Sequence, residues 1–202
     1  AAAGASVAKH GNRSVSSSSG SSDALDALGV CLNLTPEQIA ECVVSIGVGF
    51  LFAPAHHSAM KHAIGPRREL AMRTLFNVLG PLTNPAFVQR QVLGVYDAAL
   101  CEPLANALRE LGSIHALVLH SEDGLDEISI AAPTRGFELH HGAIKPIEIV
   151  PGTYGHAHDS LEGLQVATAS ESATLIRAVF AGETSSAFRK ARSIITLNAG
   201  AG

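Results

Sequence analysis

Apolar and polar positions along this chain follow two different periods, and the changes of period mark its elements. Thr35 at an N-cap position, Pro36 at the first helical position and Gln38 completing a capping box open a helix. Ile39, Val43 and Ile46 then line one face, and Gly47 stops it. Residues 23–28, Asp-Ala-Leu-Asp-Ala-Leu, also have helical spacing, with Gly29 as the stop signal. Residues 47–52 are an apolar piece too short to classify by period, and Ala53-Pro54 turns the chain. Residues 74–78 have strand-like content, whereas 79–85, Leu-Gly-Pro-Leu-Thr-Asn-Pro, is turn chemistry, so this region is expected to cross between substructures.

Further along, residues 89–96 read as a strand, 102–111 as a helix stopped by Gly112, and 114–120 as a second strand. Strand, helix and strand in immediate succession are the signature of a βαβ crossover and hence of a parallel sheet. Residues 136–139 and 143–150, joined by His140, His141 and Gly142, read as a hairpin with its turn histidines on the surface. Residues 171–181 and 186–197 read as closing helices separated by Gly182. The pattern predicts an α/β fold, with no internal repeat and no clear linker.

Composition narrows the classes. With 202 residues, 47% hydrophobic and 16% charged, the chain suits one medium domain, or one domain plus part of another, able to bury a core. No apolar run reaches transmembrane length, so no membrane partner is expected. The formal net charge of −4 gives no global attraction for polyanions, which makes nucleic acid a poor candidate partner and small anions a better one. Cys31, Cys42 and Cys101 are odd in number and lack metal-type spacing, so they read as reduced structural thiols of a cytoplasmic protein. The Ala-rich start has neither a basic n-region nor an initiator Met, and residue 1 is read as a cut through a longer protein, inside a helix.

The candidate chemistry begins at residues 9–23. Lys9 and Arg13, the amide of Asn12, a run of serines and the glycines Gly11 and Gly20 form the inventory needed to wrap charge and backbone N–H groups around phosphate oxygens. A Ser/Gly tract is equally the composition of a flexible linker. The helical pattern that follows favours an anion loop feeding a helix N-terminus.

His56, His57 and His62 invite a zinc reading, but His57 and His62 are five apart rather than four, with no third ligand close by. A polar pocket wall, with Lys61, Arg67 and Arg68 adding positive charge for a carboxylate, competes with a solvated basic face. Finally, residues 121–127 gather Glu122, Asp123, Asp126 and Glu127 at the expected carboxyl end of a strand, where open α/β sheets place ligands. Asp126 and Glu127 suit magnesium completed by substrate phosphate oxygens, the alternative being an acidic surface turn. His156 and His158 carry no recognisable partner pattern.

Three stretches together resemble a known family. Lys9-His10-Gly11-Asn12-Arg13 followed by serines and glycine resembles the signature of the anthranilate phosphoribosyltransferase family. His57-Ser58-Ala59-Met60-Lys61-His62, leading through Arg67 to Arg73-Thr74-Leu75-Phe76-Asn77-Val78-Leu79-Gly80-Pro81-Leu82-Thr83-Asn84-Pro85-Ala86, is similar to its second signature. Gly124-Leu125-Asp126-Glu127 resembles its metal-binding acidic pair.

The resemblance implies a nucleoside phosphorylase/phosphoribosyltransferase-like α/β fold, a central mainly parallel sheet flanked by helices with part of a small helical domain. Residues 1–202 would then be a partial chain, mostly the large phosphoribosyl-diphosphate-binding domain, with about 35–85 contributing in part to the small domain and the inter-domain cleft. It implies transfer of phosphoribose from 5-phosphoribosyl 1-diphosphate to anthranilate in tryptophan biosynthesis, with Mg2+ and a homodimeric intact protein. Carried over by position, Lys9, His10, Gly11, Asn12, Arg13, Ser14, Val15, Ser16, Ser17 and Ser21 would bind phosphoribosyl diphosphate. Asn12, His57, Met60 and Arg67 would meet anthranilate, and Asp126 and Glu127 the metal. No protein nucleophile is implied.

The family's glycine-rich diphosphate loop, its Asn-Ser-Thr segment and its early helices would lie before residue 1, the C-terminal end would be truncated too, and Ser18 stands where relatives often carry a larger residue. Two rivals share the fold: a nucleoside phosphorylase-type enzyme, whose basic-glycine signature differs from residues 9–12, and a non-catalytic nucleic-acid-binding relative, which would want a basic face.

Overall fold

The computed structural model of the chain describes residues 1, 3–12, 20–56 and 76–202. It divides into two compact units, residues 1–87 with 166–174, and residues 88–165 with 175–202.

In the first unit, strand β1 (Val7–Gly11) pairs in parallel with β2 (Val48–Phe52), from Val7 opposite Val48 to Gly11 opposite Phe52. Parallel neighbours need a crossover, and helices α1 (Ser21–Ala27) and α2 (Pro36–Ile46) lie in that connection. The cap of α2 forms as its sequence dictates. The Gln38 N–H donates to Thr35 Oγ1 at 3.3 Å, and the Thr35 N–H donates to Gln38 Oε1 at 2.9 Å. Gly47 closes the helix at φ 77°, its N–H reaching the Val43 carbonyl.

The expected apolar stripe is only partly buried: Ile39 is 4% exposed but Ile46 is 66% exposed. The returning strand meets the helix one turn earlier, where a Cβ on Gly49 would fall 2.7 Å from Val43 Cγ2 and 2.8 Å from Ile39 Cγ2. Residue 1 precedes a turn, closed by the Gly4 N–H on the Ala1 carbonyl at 2.8 Å, rather than lying in a helix.

A short helix α3 (Ala53–His56) follows β2, and α4 (Phe76–Leu82) stands at 76–78 in place of the expected strand, whose first two residues, 74 and 75, lie outside the described residues, and replaces most of the turn expected over 79–85. Local propensity misled here because the helix carries Pro81 in its last turn. Thr83 compensates: its hydroxyl donates to the Leu79 and Gly80 carbonyls, each at 3.1 Å, satisfying acceptors at the helix end.

The second unit holds a four-stranded sheet in the order β3-β4-β5-β6. Strand β3 (Arg90–Gly94), a 3₁₀ turn (Ala98–Leu100), helix α5 (Cys101–Glu110) and strand β4 (His115–Ser121) form the expected βαβ unit, with β3 and β4 parallel. Strands β5 (Thr134–His140) and β6 (Ala143–Ile149) extend it antiparallel. The expected hairpin turn is His141-Gly142, both with positive φ (48° and 82°), while His140 belongs to the strand. Parallel pairing with flanking helices thus occurs in both units, and the α/β class holds.

Helix α5 buries Cys101, Leu104, Ala105 and Leu108, the i, i+3, i+4, i+7 stripe of an amphipathic helix. Each such leucine is worth about 1.5–3 kcal/mol of transfer free energy. A further core gathers Leu119, Ile128, Ile130 and Leu197, with Ile147, Leu161 and Ile194 packed on it. Helices α6 (Ala169–Phe180) and α7 (Ser186–Ala201) close the chain as expected, α7 running four residues further than its pattern suggests. Among the described residues no helix is long and apolar enough to cross a membrane. Cys31, Cys42 and Cys101 are free thiols, and burial, with the Asp97 carboxylate beside it, pushes the Cys101 thiol up.

One backbone crossing governs the end of β3. A Cβ on Gly94 would lie 1.5 Å from the Asp126 carbonyl oxygen, so that peptide rests directly on the glycine. Gly94→Ala should cost about 3 kcal/mol in urea unfolding and shift the Asp126 and Glu127 amide resonances, because backbone rather than a rotatable side chain must move. Thr35→Ala should cost about 1 kcal/mol by the same assay and leave those resonances unmoved. Wild-type stability of Gly94→Ala would rule out the crossing.

Candidate functional site

The first group of candidate residues lies at the carboxyl end of β1. Lys9, His10 and Gly11, expected as loop, are strand residues, with Lys9 exposed and His10 half-buried. Strand alternation sets Lys9 and Gly11 on one face and His10 on the other. A Cβ on Gly11 would meet the Phe50 ring and Ser21 Oγ, each at 3.0 Å, so the end of the strand and the start of α1 touch. Chain leaving at Asn12 therefore returns at Gly20 and Ser21, beside the point it left. Asn12 and Ser21 are exposed. Arg13, Ser14, Val15, Ser16 and Ser17 lie outside the described residues, as do His57, Met60 and Arg67.

One donor at this helix start is already used: the Gly20 N–H gives its hydrogen to Asp23 Oδ2 at 3.0 Å, half of a capping box. Ser22 in the same turn is fully buried, and its hydroxyl has no hydrogen-bond partner among the described residues.

Asn84 is a residue that sequence reasoning passed over as turn chemistry. Its Nδ2 donates to the Ala8 carbonyl at 3.1 Å and its Oδ1 accepts from the Ala86 N–H at 2.9 Å. The turn after α4 is thereby tied to the residue before Lys9. An Asx turn was legible from Asn84-Pro85; its reach to β1 was not.

The second group lies at the carboxyl end of β4. Ser121 is fully buried and its N–H donates to the Leu125 carbonyl at 2.9 Å, curling residues 121–125 into a tight loop in which Gly124 takes φ 89°. The four acids then separate by partner. Glu122 pairs with Arg135 Nη1, and Arg135 Nε also donates to Glu148 Oε1 at 2.8 Å. Those contacts, Glu148 first, raise the guanidinium pKa further above its ordinary value. Asp123 Oδ2 accepts from the Ser129 hydroxyl at 2.5 Å. Asp126 and Glu127 are adjacent, exposed, and carried on the peptide that rests on Gly94.

Two neighbouring carboxylates offer hard oxygen donors of the kind magnesium takes when substrate phosphate oxygens and water complete its shell. Among the described residues no group of three or more His, Cys, Asp or Glu side chains is placed to hold a metal unaided. The donor set fits a cation shared with a phosphorylated ligand better than a closed structural site.

Similarity to known proteins agrees with this arrangement. The whole chain, residues 1–202, matches the family described as Glycosyl transferase family, a/b domain. It is 60% identical over 201 residues to the anthranilate phosphoribosyltransferase of Saccharophagus degradans, a match covering 100% of this chain and 59% of that protein. Among solved structures it is similar to anthranilate phosphoribosyltransferase from Thermus thermophilus, with a TM-score of 0.89 and 42% identity over 100% of this chain and 59% of that one. The Saccharomyces cerevisiae anthranilate phosphoribosyltransferase in complex with PRPP and Mg is also similar, with a TM-score of 0.82 and 26% identity over 95% of this chain and 53% of that one. The chain spans a little over half the length of the relatives it matches. With its full length inside the family match and its parallel strands ending in a basic strand terminus and an acidic pair, the chain belongs to the glycosyl transferase family, as its a/b domain.

Proposed function

We propose that the protein carrying this chain transfers the phosphoribosyl group of 5-phosphoribosyl 1-diphosphate to the amine of anthranilate. The products are N-(5-phosphoribosyl)anthranilate and diphosphate, and the reaction serves tryptophan biosynthesis. The observation that carries the reading is the seating of Lys9-His10-Gly11-Asn12 at the carboxyl end of a parallel strand with Ser21 at its side, the setting in which α/β folds hold phosphates. The S. degradans and T. thermophilus relatives bear that activity's name, and the yeast relative binds PRPP and Mg.

In this reaction the C1–O bond of the ribose breaks, diphosphate leaves with the bonding pair, and the anthranilate nitrogen attacks the oxocarbenium-like carbon and then loses a proton. No side chain need act as nucleophile. The work assigned to this chain is to align the two substrates and stabilise charge on the leaving group. Lys9, Arg13 and the hydroxyls of Ser14, Ser16, Ser17 and Ser21 take the phosphates, with His10, Gly11 and Val15 also meeting phosphoribosyl diphosphate. Asn12 stands between the substrates. Arg67 grips the anthranilate carboxylate, with His57 and Met60 beside it. Asp126 and Glu127 hold magnesium, which when bound neutralises charge on the diphosphate.

The wider reading is a cytoplasmic homodimer acting on small molecules. Most of the chain serves the large domain, and about 35–85 contributes in part to a small helical domain and its cleft. A net charge of −4 supports small-molecule substrates over nucleic acid.

The test is loss of anthranilate fluorescence with Mg2+ and phosphoribosyl diphosphate, on this chain and on the same chain joined to the flanking segments of the S. degradans relative. Turnover in the joined protein is expected; none in either, together with salt-dependent binding of single-stranded DNA, would replace this reading by that of a binding protein. Arg67→Ala should weaken anthranilate binding by roughly 10- to 100-fold, a lost charged hydrogen-bond pair of about 1.5–3 kcal/mol, with phosphoribosyl diphosphate affinity changed less than about twofold. Equal loss of both in calorimetry would defeat the assigned role.

A further inference from the structure

We propose that Asn198 is a positioning residue for the acidic pair, holding the peptide that follows Glu127. The inference rests on the reading of Asp126 and Glu127 as magnesium ligands and extends it to a residue on α7. Asn198 Oδ1 accepts from the Ile128 N–H at 2.9 Å, and its Nδ2 donates to the Ile128 carbonyl at 2.8 Å. A carboxamide that both accepts from and donates to one residue's backbone supplies the pairing a neighbouring strand would give.

Ile128 needs that partner. It is 1% exposed, its side chain is in the core with Leu119, Ile130 and Leu197, and it lies outside the strands of the sheet. A buried N–H and C=O without partners would be costly. The orientation of the amide is fixed as well, because Nδ2 also donates to the Ile194 carbonyl at 2.9 Å. The flipped amide would set its oxygen against two carbonyl oxygens and its NH2 against an N–H.

The two carboxylates therefore spring from a backbone pinned at two points. Between them the Asp126 carbonyl rests on Gly94, and after them Ile128 is gripped by Asn198. Removing the grip frees the peptide on the Glu127 side while leaving both carboxylates in place. Groups that orient ligands in this way typically change metal affinity by about 10- to 100-fold when lost.

Two readouts on the 15N-labelled chain test this. Without metal, the Ile128 N–H of Asn198→Ala should exchange with D2O at least about tenfold faster than in the wild type. With Mg2+ titrated in the presence of inorganic diphosphate and followed at the Asp126 and Glu127 amides, half-saturation should rise about tenfold. Asn198→Asp keeps an acceptor for the Ile128 N–H but offers no donor to the carbonyls. It should fall between wild type and Asn198→Ala, and it supplies both readouts if the alanine variant does not fold.

Unchanged exchange at Ile128 overturns the proposal. So does faster exchange with unchanged half-saturation, a purely structural role, when Asp126→Asn and Glu127→Gln do weaken Mg2+; the metal reading then stands alone. If those two variants leave half-saturation unchanged, the metal reading and the positioning role fall together.

Discussion

The contact on which the second unit depends is made without a side chain: the carbonyl of Asp126 seated on Gly94. The loop leaving the carboxyl end of β4 folds back over the neighbouring β3, and any Cβ at this crossing would push the loop away. Because position 94 is glycine, residues 121–128 can curl from the end of β4 across the end of β3. Ile128 can then enter the core beside Leu119, and the two acids between are left at the surface. The first unit uses the same device twice. Gly49 lets Ile39 and Val43 of α2 press on β2, and Gly11 admits the Phe50 ring and the start of α1.

The two groups of candidate residues, one in each unit, are consequently built alike, from the carboxyl end of a strand with a parallel neighbour. The basic group follows β1 and the acidic group follows β4. In neither group does the strand itself carry candidate residues beyond its last positions. The strand fixes where the loop starts, and close approaches through glycine fix where it goes. The reaction proposed above needs no protein nucleophile, and such chemistry places its demands on fixed backbone more than on nucleophilic side chains.

Elements whose signals are local could be read from the chain directly. The Thr35, Pro36 and Gln38 cap, the βαβ unit over β3, α5 and β4, and the turn at His141-Gly142 all depend on residues a few positions apart. Helix α4 was hidden because Pro81 argues against a helix, and the Thr83 hydroxyl that offsets it has no sequence signature of its own. Strand β1 was hidden because His10 and Gly11 break its alternation and its partner lies beyond two helices. The four acids of residues 121–127 were legible as a group. Their sorting was not, since it depends on Arg135 from β5 and on Ser129, and the pairings of Asn84 and Asn198 likewise span most of a unit.

Strand β6 lies at the margin of its sheet, bonded on one side to β5. Such a margin is a template for further strands, yet here Pro146 has no N–H to offer, and Lys145 and Glu148, both exposed, would have to shed water for an incoming chain. Growth of this sheet past β6 by addition of another chain is thus discouraged by the sequence of that strand, and association of copies through it would be resisted.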